Sequence, residues 1–430
     1  MFCEDDRKKE EFESSRQSSQ SKRTREDDGR DTEVDRRRET PSAKDPARIY
    51  LKILNHMEVT MTKKYGFALL VLFMFTLSVS AVFAAGTKES TATGMAPAKI
   101  ALLLPETKTT RYETADRPDF EAKMKALDPS VDIIYNNANQ NANTQLSQAE
   151  AALTNGAQVL VLDPVDSAAA AVIADKARAQ NVPVIAYDRL ILNSSGVNYY
   201  ISFDNTEVGK LQATSLVDKL NKMGIQKPVI VMINGSPTDN NASLFKQGAH
   251  SVFDPLVKAG KLVIAKEYDT PDWSPDQAQN EMQQALTALG NKVDGVYCAN
   301  DGTASGAIAA MKAAGLKPIP PVTGQDAELT AIQRILVGEQ YMTVYKAIKP
   351  EAEAAAELAY DLLKNKQVPG SMTGGKTVKN GKMAVPSVLL TPVAVTKDNI
   401  KDTVVKDGFW TTQQICTSDY AGACKAAGLE

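Results

Sequence analysis

Histidine is nearly missing from this chain: 430 residues include only two, His56 and His250. With no cluster of His and Cys at metal-ligand spacing, zinc-hydrolase centres and most Cys-His designs are excluded. A Ser-His-Asp triad would have only His250 to draw on, or His56 in a segment set aside below. Motifs of nucleotide and acyl chemistry are missing too: there is no P-loop, no G-x-S-x-G, and no G-x-G-x-x-G opening a helix after a strand. Nor is there a surplus of basic charge, since 49 Lys and Arg stand against 52 Asp and Glu, a formal charge of −3. So balanced a chain carries no global field for nucleic acid or an anionic membrane surface. What it does have is a 43% hydrophobic content, enough at this length for two or three domains with real cores.

Residues 1–60 hold 29 charged side chains, 14 basic and 15 acidic, with serine and glutamine between them and no apolar period. Such a stretch cannot bury enough surface to offset the entropy of ordering it, and disorder is expected. From Met61 the character changes: Lys63 and Lys64 precede an apolar run from Phe67 to Val82, which closes on Val82-Phe83-Ala84. Basic, apolar and small-residue regions in that order read as a secretory signal over 61–84. The run, roughly 16 residues, is shorter than the ~20 of a spanning helix. A signal so far from the first methionine predicts a true start at Met61 or Met57. The competing reading is a long cytoplasmic extension before an anchor. A loose linker, 85–98, leads into the folded part.

Cysteine usage agrees with export. After the signal only Cys298, Cys416 and Cys424 remain. The last two enclose a short loop near the C-terminus, where a disulfide is expected in an oxidising compartment. Cys298 sits in an apolar strand pattern and reads as a core thiol.

Apolar runs of strand length then alternate with helix patterns, the signature of parallel α/β architecture. Ile100–Leu104, Val131–Tyr135, Val159–Leu162 and Val182–Ala186 are near-continuously apolar, as strands covered on both faces are. Helices are expected over Gln145–Leu153, ending at Asn155-Gly156, and from Ser167 to Ala179. A second series begins after Phe203-Asp204-Asn205, with strands at Val229–Ile233, Leu262–Ile264, Gly295–Cys298 and Pro321–Gly324. Met342–Tyr345, a helix from Pro350 to about Lys364, and Val388–Leu390 complete the pattern. Two series of the same βα kind predict two lobes with their own sheets, and the short remainder must dock back on them. The chain therefore crosses between lobes more than once, near Asn205, Ala347 and Pro386, which makes a hinge.

Ligands of open parallel sheets bind at the carboxyl ends of the strands. Those positions hold Pro105 to Tyr112, Asp188-Arg189, Ser236 to Asn241, Asn300-Asp301, Gln325-Asp326 and Lys346. They are planar, multidentate hydrogen-bonding groups of both signs with no phosphate cradle, suited to a neutral polyhydroxylated ligand. Tyr112 and Trp273 lie in two of these loops and could sandwich the C–H faces of a sugar ring. Taken singly, each polar residue is as readily a helix cap or an ion-pair partner, and Asp239-Asn240-Asn241 could be a turn.

Six segments, in order, carry a family resemblance: Ala186-Tyr-Asp-Arg189, Tyr200 to Asn205, Gly235 to Ala242, Asn300-Asp-Gly302, Gly324-Gln-Asp-Ala327 and Thr343-Val-Tyr-Lys346. Together they resemble the periplasmic sugar-binding proteins of bacterial ABC importers, the xylose-binding members above all, beside the ribose-, galactose- and multiple-sugar-binding ones. The resemblance runs from about Lys99 to Trp410. It implies two Rossmann-like α/β lobes with parallel sheets joined by a three-strand hinge. Lobe 1 would be 99–205 plus 347–386, lobe 2 206–346 plus 387–410, with 411–430 a C-terminal tail. The implied ligand-binding residues are Arg111, Asp188, Arg189, Asn241, Asn300, Asp326 and Lys346, with Tyr112 and Trp273 as aromatic walls. Arg111-Tyr112 stands where an Arg-Trp pair is expected. A monomeric, exported, non-enzymatic protein is implied, without metal or cofactor, handing a monosaccharide, xylose or a related aldose, to a membrane permease. A glucose, galactose or multiple-sugar binder that also serves chemotaxis is the alternative. Rivals are a sugar hydrolase using Asp188, Asp301 and Asp326, and the sensing domain of a repressor, for which no helix-turn-helix precedes.

Overall fold

The computed structural model describes residues 97–429; the expected disordered stretch, signal segment and most of the linker lie outside them. β1 (Lys99–Leu104) leads through a loop and a wide helical turn, Tyr112–Asp116, into α1 (Arg117–Leu127). Then come β2 (Asp132–Asn137), α2 (Ala142–Thr154), β3 (Val159–Leu162), α3 (Ala171–Ala179), β4 (Val184–Tyr187) and β5 (Tyr199–Phe203). The second series runs α4 (Asn205–Lys222), β6 (Val229–Asn234), α5 (Asn240–Lys258), β7 (Val263–Asp269), α6 (Pro275–Leu289), β8 (Gly295–Cys298), α7 (Asp301–Ala313), α8 (Leu329–Val337) and β9 (Met342–Tyr345). The chain ends in α9 (Ile348–Leu363), α10 (Gly370–Thr373), β10 (Thr377–Lys379), β11 (Ala384–Leu390), β12 (Val393–Thr396), α11 (Thr412–Ile415) and α12 (Ala421–Ala426).

Among the described residues the first lobe holds a seven-stranded sheet, ordered β2-β1-β3-β4-β5-β11-β10 and parallel except for β10. Strands such as β3 and β4 are buried at every position, because apolar clusters cover both faces. The second lobe holds the parallel sheet β7-β6-β8, again covered on both faces. Beyond β8 the expected Pro321–Gly324 strand is reduced to bridges, Val296 with Val322 and Gln325 with Val344, which lead to the antiparallel pair β9–β12. Two prolines, Pro320 and Pro321, and the left-handed backbone of Asp326 and Ala327, at φ 93° and 49°, limit regular pairing there.

Local signals explain most helix ends. The Asn141 side chain accepts from Thr144 N–H at 2.9 Å at the start of α2, and Gly156, at φ 85°, follows its end as expected. Ser167 does not open a helix. Asp166 Oδ1 takes the N–H groups of Ala168 and Ala169, both at 2.8 Å, α3 begins four residues later at Ala171, and Ser167 is spent on a contact with the second lobe.

Three passages join the lobes: Phe203 to Asn205, Lys346 to Ile348, and Leu390 to Val393. The third corrects the expected crossing at Pro386 and the placement of 387–390 in lobe 2. Ser387 to Leu390 pair in parallel with Tyr200 to Phe203 of β5, so β11 is a first-lobe strand throughout. The C-terminal segment packs on α8 of the second lobe. Trp410 Nε1 donates to the Ala327 carbonyl at 2.7 Å, Gln333 Nε2 donates to the Ile415 carbonyl at 3.2 Å, and Cys416 and Cys424 form the expected disulfide. Cys298 is buried in the core.

Helices α4 and α5 approach closely enough that a Cβ on Gly209 would lie 1.9 Å from the Phe245 carbonyl oxygen. That contact is backbone and cannot yield cheaply. Gly209→Ala is expected to destabilise the chain by about 1–3 kcal/mol; a urea midpoint equal to wild type would show that the helices can part.

Candidate functional site

The carboxyl ends of the strands of both sheets face one cavity, which at about 20 Å³ has room for little more than one water with the lobes in this arrangement. Its lining contains all nine residues expected from the sequence: Arg111, Tyr112, Asp188, Arg189, Asn241, Trp273, Asn300, Asp326 and Lys346. The first four come from the ends of β1 and β4. Asn241 follows β6, Trp273 follows β7, Asn300 follows β8, and Lys346 follows β9 at the second passage between lobes.

Arg111 is the centre of the arrangement. Its Nη2 lies 2.6 Å from Asp188 Oδ2 and its Nε 3.7 Å from Asp326 Oδ1, while Nη1 faces Asp116 and Glu351 at 3.3 and 3.4 Å. Lys346 Nζ sits 3.4 Å from both Asp188 Oδ1 and Asp326 Oδ1. Burial alone would push the Asp188 carboxyl up, but Arg111, Lys346 and Arg189 together outweigh it and hold the group well below the usual carboxylate range. Asp188 is therefore a fixed negative charge. The ion pairs of Arg111 with Asp188 and Asp326 are close in distance but poor in alignment: Nε, Nη2 and Asp326 Oδ1 are buried without a hydrogen-bond partner, as is Gln325 Oε1. Buried polar atoms are normally paired, so donors and acceptors that converge unpaired on one cavity are available to a ligand.

Tyr112 lines the cavity and is also tied into the charge network. Its hydroxyl donates to Asp188 Oδ2 and accepts from Arg189 Nη2, each at 3.1 Å. The Arg111 guanidinium stands 4.8 Å from its ring centroid, and the ring packs in a first-lobe apolar cluster. Trp273 and Phe245, edge to face at 6.3 Å, add to the aromatic surface of the cavity. A Cβ on Gly235 would fall 1.9 Å from the Trp273 ring, so only glycine lets the indole lie against that backbone.

Several side chains bridge the lobes. Asp239 Oδ2 accepts from Trp273 Nε1 at 3.1 Å and pairs with Arg189 Nε at 3.0 Å. Asn241 Nδ2 donates to the Asp188 carbonyl at 2.9 Å, and Asn205 Nδ2 donates to Asn241 Oδ1 at 2.9 Å. Ser167 donates its N–H to the Thr238 carbonyl at 3.0 Å and accepts from Asn240 N–H on its hydroxyl at 3.1 Å. Asn300 lines the cavity and also caps α7, accepting from Thr303 N–H at 2.8 Å. Asp301 turns away: Gln340, Thr343 and the Glu328 N–H occupy its carboxylate at 2.7–2.9 Å, so it does not join Asp188 and Asp326 in the cavity.

Sequence reasoning missed Phe245 and, behind the lining, Asp116, Asp163 and Glu351. It placed Asp239 among the strand-end residues, with a turn as the alternative, but not among the nine. Phe245 had a signal, four residues along α5 from Asn241 and hence on the same helix face. Glu351 had one too, a lone acid in the stripe of Ile348, Ala352, Ala355 and Ala359.

Asp188, Trp273 and Asp326 all have left-handed backbone, at φ 52°, 53° and 93°, a conformation that costs a non-glycine residue about 1–3 kcal/mol when held there. The surrounding bonds must overdetermine them. Gly235→Ala is expected to unseat Trp273, costing about 1–3 kcal/mol of stability and shifting indole fluorescence. Unchanged emission with an unchanged midpoint would mean that Gly235 does not set the ring.

Comparison with known proteins agrees with this geometry. Residues 100–367 match a family model described as a periplasmic binding protein domain. The chain is 42% identical over 311 residues to the D-xylose-binding periplasmic protein of Escherichia coli, covering 72% of this chain and 90% of the relative. It is 34% identical over 354 residues to the multiple sugar-binding periplasmic receptor of Rhizobium radiobacter, covering 79% and 99%. Among solved structures, an ABC transporter solute-binding protein from Clostridium phytofermentans with bound β-D-glucose has 31% identity and a TM-score of 0.69, covering 74% of this chain and 99% of that one. With two lobes of parallel sheet meeting at a polar cleft and this match over most of its length, the chain belongs to the periplasmic binding protein family.

Proposed function

We propose that this protein captures a monosaccharide in the cleft between its lobes, D-xylose first among the aldoses, and presents it to the membrane permease of an ABC importer. It is a binding protein of transport and not an enzyme. The observation that carries the reading is the convergence of buried groups without a hydrogen-bond partner, Arg111 Nε, Asp326 Oδ1 and Gln325 Oε1, on a cavity that also holds Trp273 and Phe245. A sugar matches both kinds of surface, since its hydroxyls donate and accept while its C–H faces are apolar. D-Xylose leads because the E. coli relative, 42% identical, is named for it. A broader aldose range, glucose included, is the second reading, supported by the receptor of R. radiobacter and the glucose-bound structure from C. phytofermentans.

In this reading both lobes contribute contacts: Arg111, Asp188 and Arg189 from one, Asn241, Trp273, Asn300 and Asp326 from the other. Sugar then favours the closed form because only closure satisfies both halves, a shift in population that the permease reads. Export would use the segment 61–84, the mature chain starting near Ala85 and acting as a monomer. N-terminal sequencing of the exported protein checks this, and a mature chain retaining Glu4 to Glu58 would refute it.

Calorimetric titration with a panel of aldoses tests the function, with xylose expected to bind most tightly. Asp326→Asn keeps the shape and one acceptor but removes a charge-assisted bond, so it is expected to cost about 1.5–3 kcal/mol of binding, roughly ten- to a hundredfold. Asp326→Leu is expected to cost more, because Arg111 and Lys346 lose a buried counter-charge. If both variants bind sugar like wild type and only melt earlier, Asp326 is structural and the cleft reading fails.

A further inference from the structure

Behind Arg111 lie two carboxylates that do not line the cavity. Glu351, in the first turn of α9, is 0% exposed, and Asp116, at the end of the wide helical turn, is 1% exposed. Both converge on a single atom: Arg111 Nη1 donates to Asp116 Oδ1 at 3.3 Å and to Glu351 Oε2 at 3.4 Å. The other oxygen of each, Asp116 Oδ2 and Glu351 Oε1, is buried with no hydrogen-bond partner.

Charge counting shows what this arrangement requires. Four buried carboxylates, Asp116, Asp188, Asp326 and Glu351, share two cations, Arg111 and Lys346. The third cation, Arg189, is taken up by Glu106, Asp163 and Asp239. Four full negative charges on two positive ones, away from water, would carry a large desolvation penalty. Like-charged carboxylates that share one site relieve it by holding a proton. Asp188 is the wrong place for that proton, since Arg111, Lys346 and the Tyr112 hydroxyl all favour its ionised form. Asp116 and Glu351 share one nitrogen, and each has an oxygen to spare.

We propose that Asp116 and Glu351 are positioning residues for Arg111 that hold one proton between them, gripping the guanidinium from behind with a single net charge. Nη1 is thereby fixed to the pair and Nη2 to Asp188, and Nε is left without a partner beside the cavity. Tyr187 of β4 donates to Asp116 Oδ1 at 2.6 Å and steadies it. The groups that face the pair are Arg111 from the loop after β1, Tyr187 and Asp188 from β4 and its end, Tyr200 from β5, and Lys346 from the second passage. Burial, with Asp188 adding to it, pushes the Glu351 carboxyl well up; burial also raises Asp116, although Arg111 opposes it. A carboxyl raised on folding contributes stability that is complete below its unfolded value and is lost as pH climbs toward the folded one. Loss of the shared proton would also draw Arg111 back from the cavity, so sugar affinity falls in the same direction.

The proposal rests on the reading that Arg111 faces sugar, and two measurements keep the two apart. The first needs no sugar: the melting temperature of wild type, Glu351→Gln and Asp116→Asn is followed from about pH 5 to about pH 9. Wild type is expected to lose stability with rising pH, and either neutral variant to remove the one-proton part of that slope, because a single carboxylate left beside Arg111 needs no proton. Slopes unchanged in both variants overturn the shared proton. The second is D-xylose affinity. Glu351→Gln is expected to weaken it about threefold and Glu351→Leu at least about thirtyfold, because the amide still accepts from Nη1 and leucine cannot. Leucine binding within about threefold of wild type overturns the positioning role. If wild type binds no monosaccharide, the sugar reading falls while the slopes still decide the proton.

Discussion

The guanidinium of Arg111 is the interaction on which the site depends. Four carboxylates reach it from four parts of the chain: Asp116 from the turn after β1, Asp188 from the end of β4, Glu351 from α9, and Asp326 from the second lobe. A cation so deeply buried is tolerable only if such partners surround it, and each partner is tolerable only beside the cation. The loop after β1, the β4 terminus and the helix after the second passage are thereby held in one geometry. The cluster stabilises the fold little in net terms. What it provides is a rigid array of charge whose remaining valences point into a cavity.

Strain accompanies that array. Asp188, Trp273 and Asp326 take left-handed backbone at the ends of their strands, where extended conformations would aim their side chains elsewhere. The network repays the distortion: the Asp188 carbonyl accepts from Ser202 Oγ at 2.7 Å and Asn241 Nδ2 at 2.9 Å, and the Asp326 N–H donates to the Val344 carbonyl at 2.9 Å. Backbone bonds that anchor one wall of the cavity thus include bonds to the other lobe, so the shape of the site and the approach of the lobes are set together.

The same economy appears away from the cavity centre. Asp239 links Trp273 of its own lobe to Arg189 of the other, and Ser167 exchanges two hydrogen bonds with the turn that starts α5. These contacts need no sugar, yet they form only when the lobes meet. A periplasmic binding protein must close on a ligand and reopen; a cleft held by a few directional bonds, with the large apolar clusters inside each lobe and only a small one around Phe203, Ile348 and Phe409 at the passages, suits that cycle better than an apolar seam would.

Much of this was legible in the sequence for a definite reason. Parallel strands buried on both faces must be continuously apolar, so Ile100–Leu104, Val159–Leu162 and Val229–Ile233 announced themselves, and the polar residues just beyond such runs had to lie at one end of a sheet. All nine expected site residues line the cavity: the strand-end rule is topological and placed them at one end of the sheets, with others such as Asp301 that turn away, and the family resemblance picked the nine from that set. Other features depend on partners that sequence distance conceals. Val388-Leu-Leu390 and Val393-Ala-Val395 are equally apolar and nearly adjacent, yet the first pairs with β5 and the second with β9, which moved the third passage beyond the expected Pro386. No local pattern told that Tyr112 would also carry Arg111 against its ring and Arg189 on its hydroxyl. Asp116 and Glu351 lie 235 residues apart in a helical turn and an alanine-rich helix; the stripe around Glu351 marks its face as inward, but nothing local joins it to Asp116. Only the docking of α9 on the first lobe removes water from both and sets them on the same nitrogen. Composition and periodicity determined which segments had to be inside and which ends had to face a ligand; tertiary packing decided which charges lost their solvent, because desolvation is a property of the assembled surroundings and not of the residue.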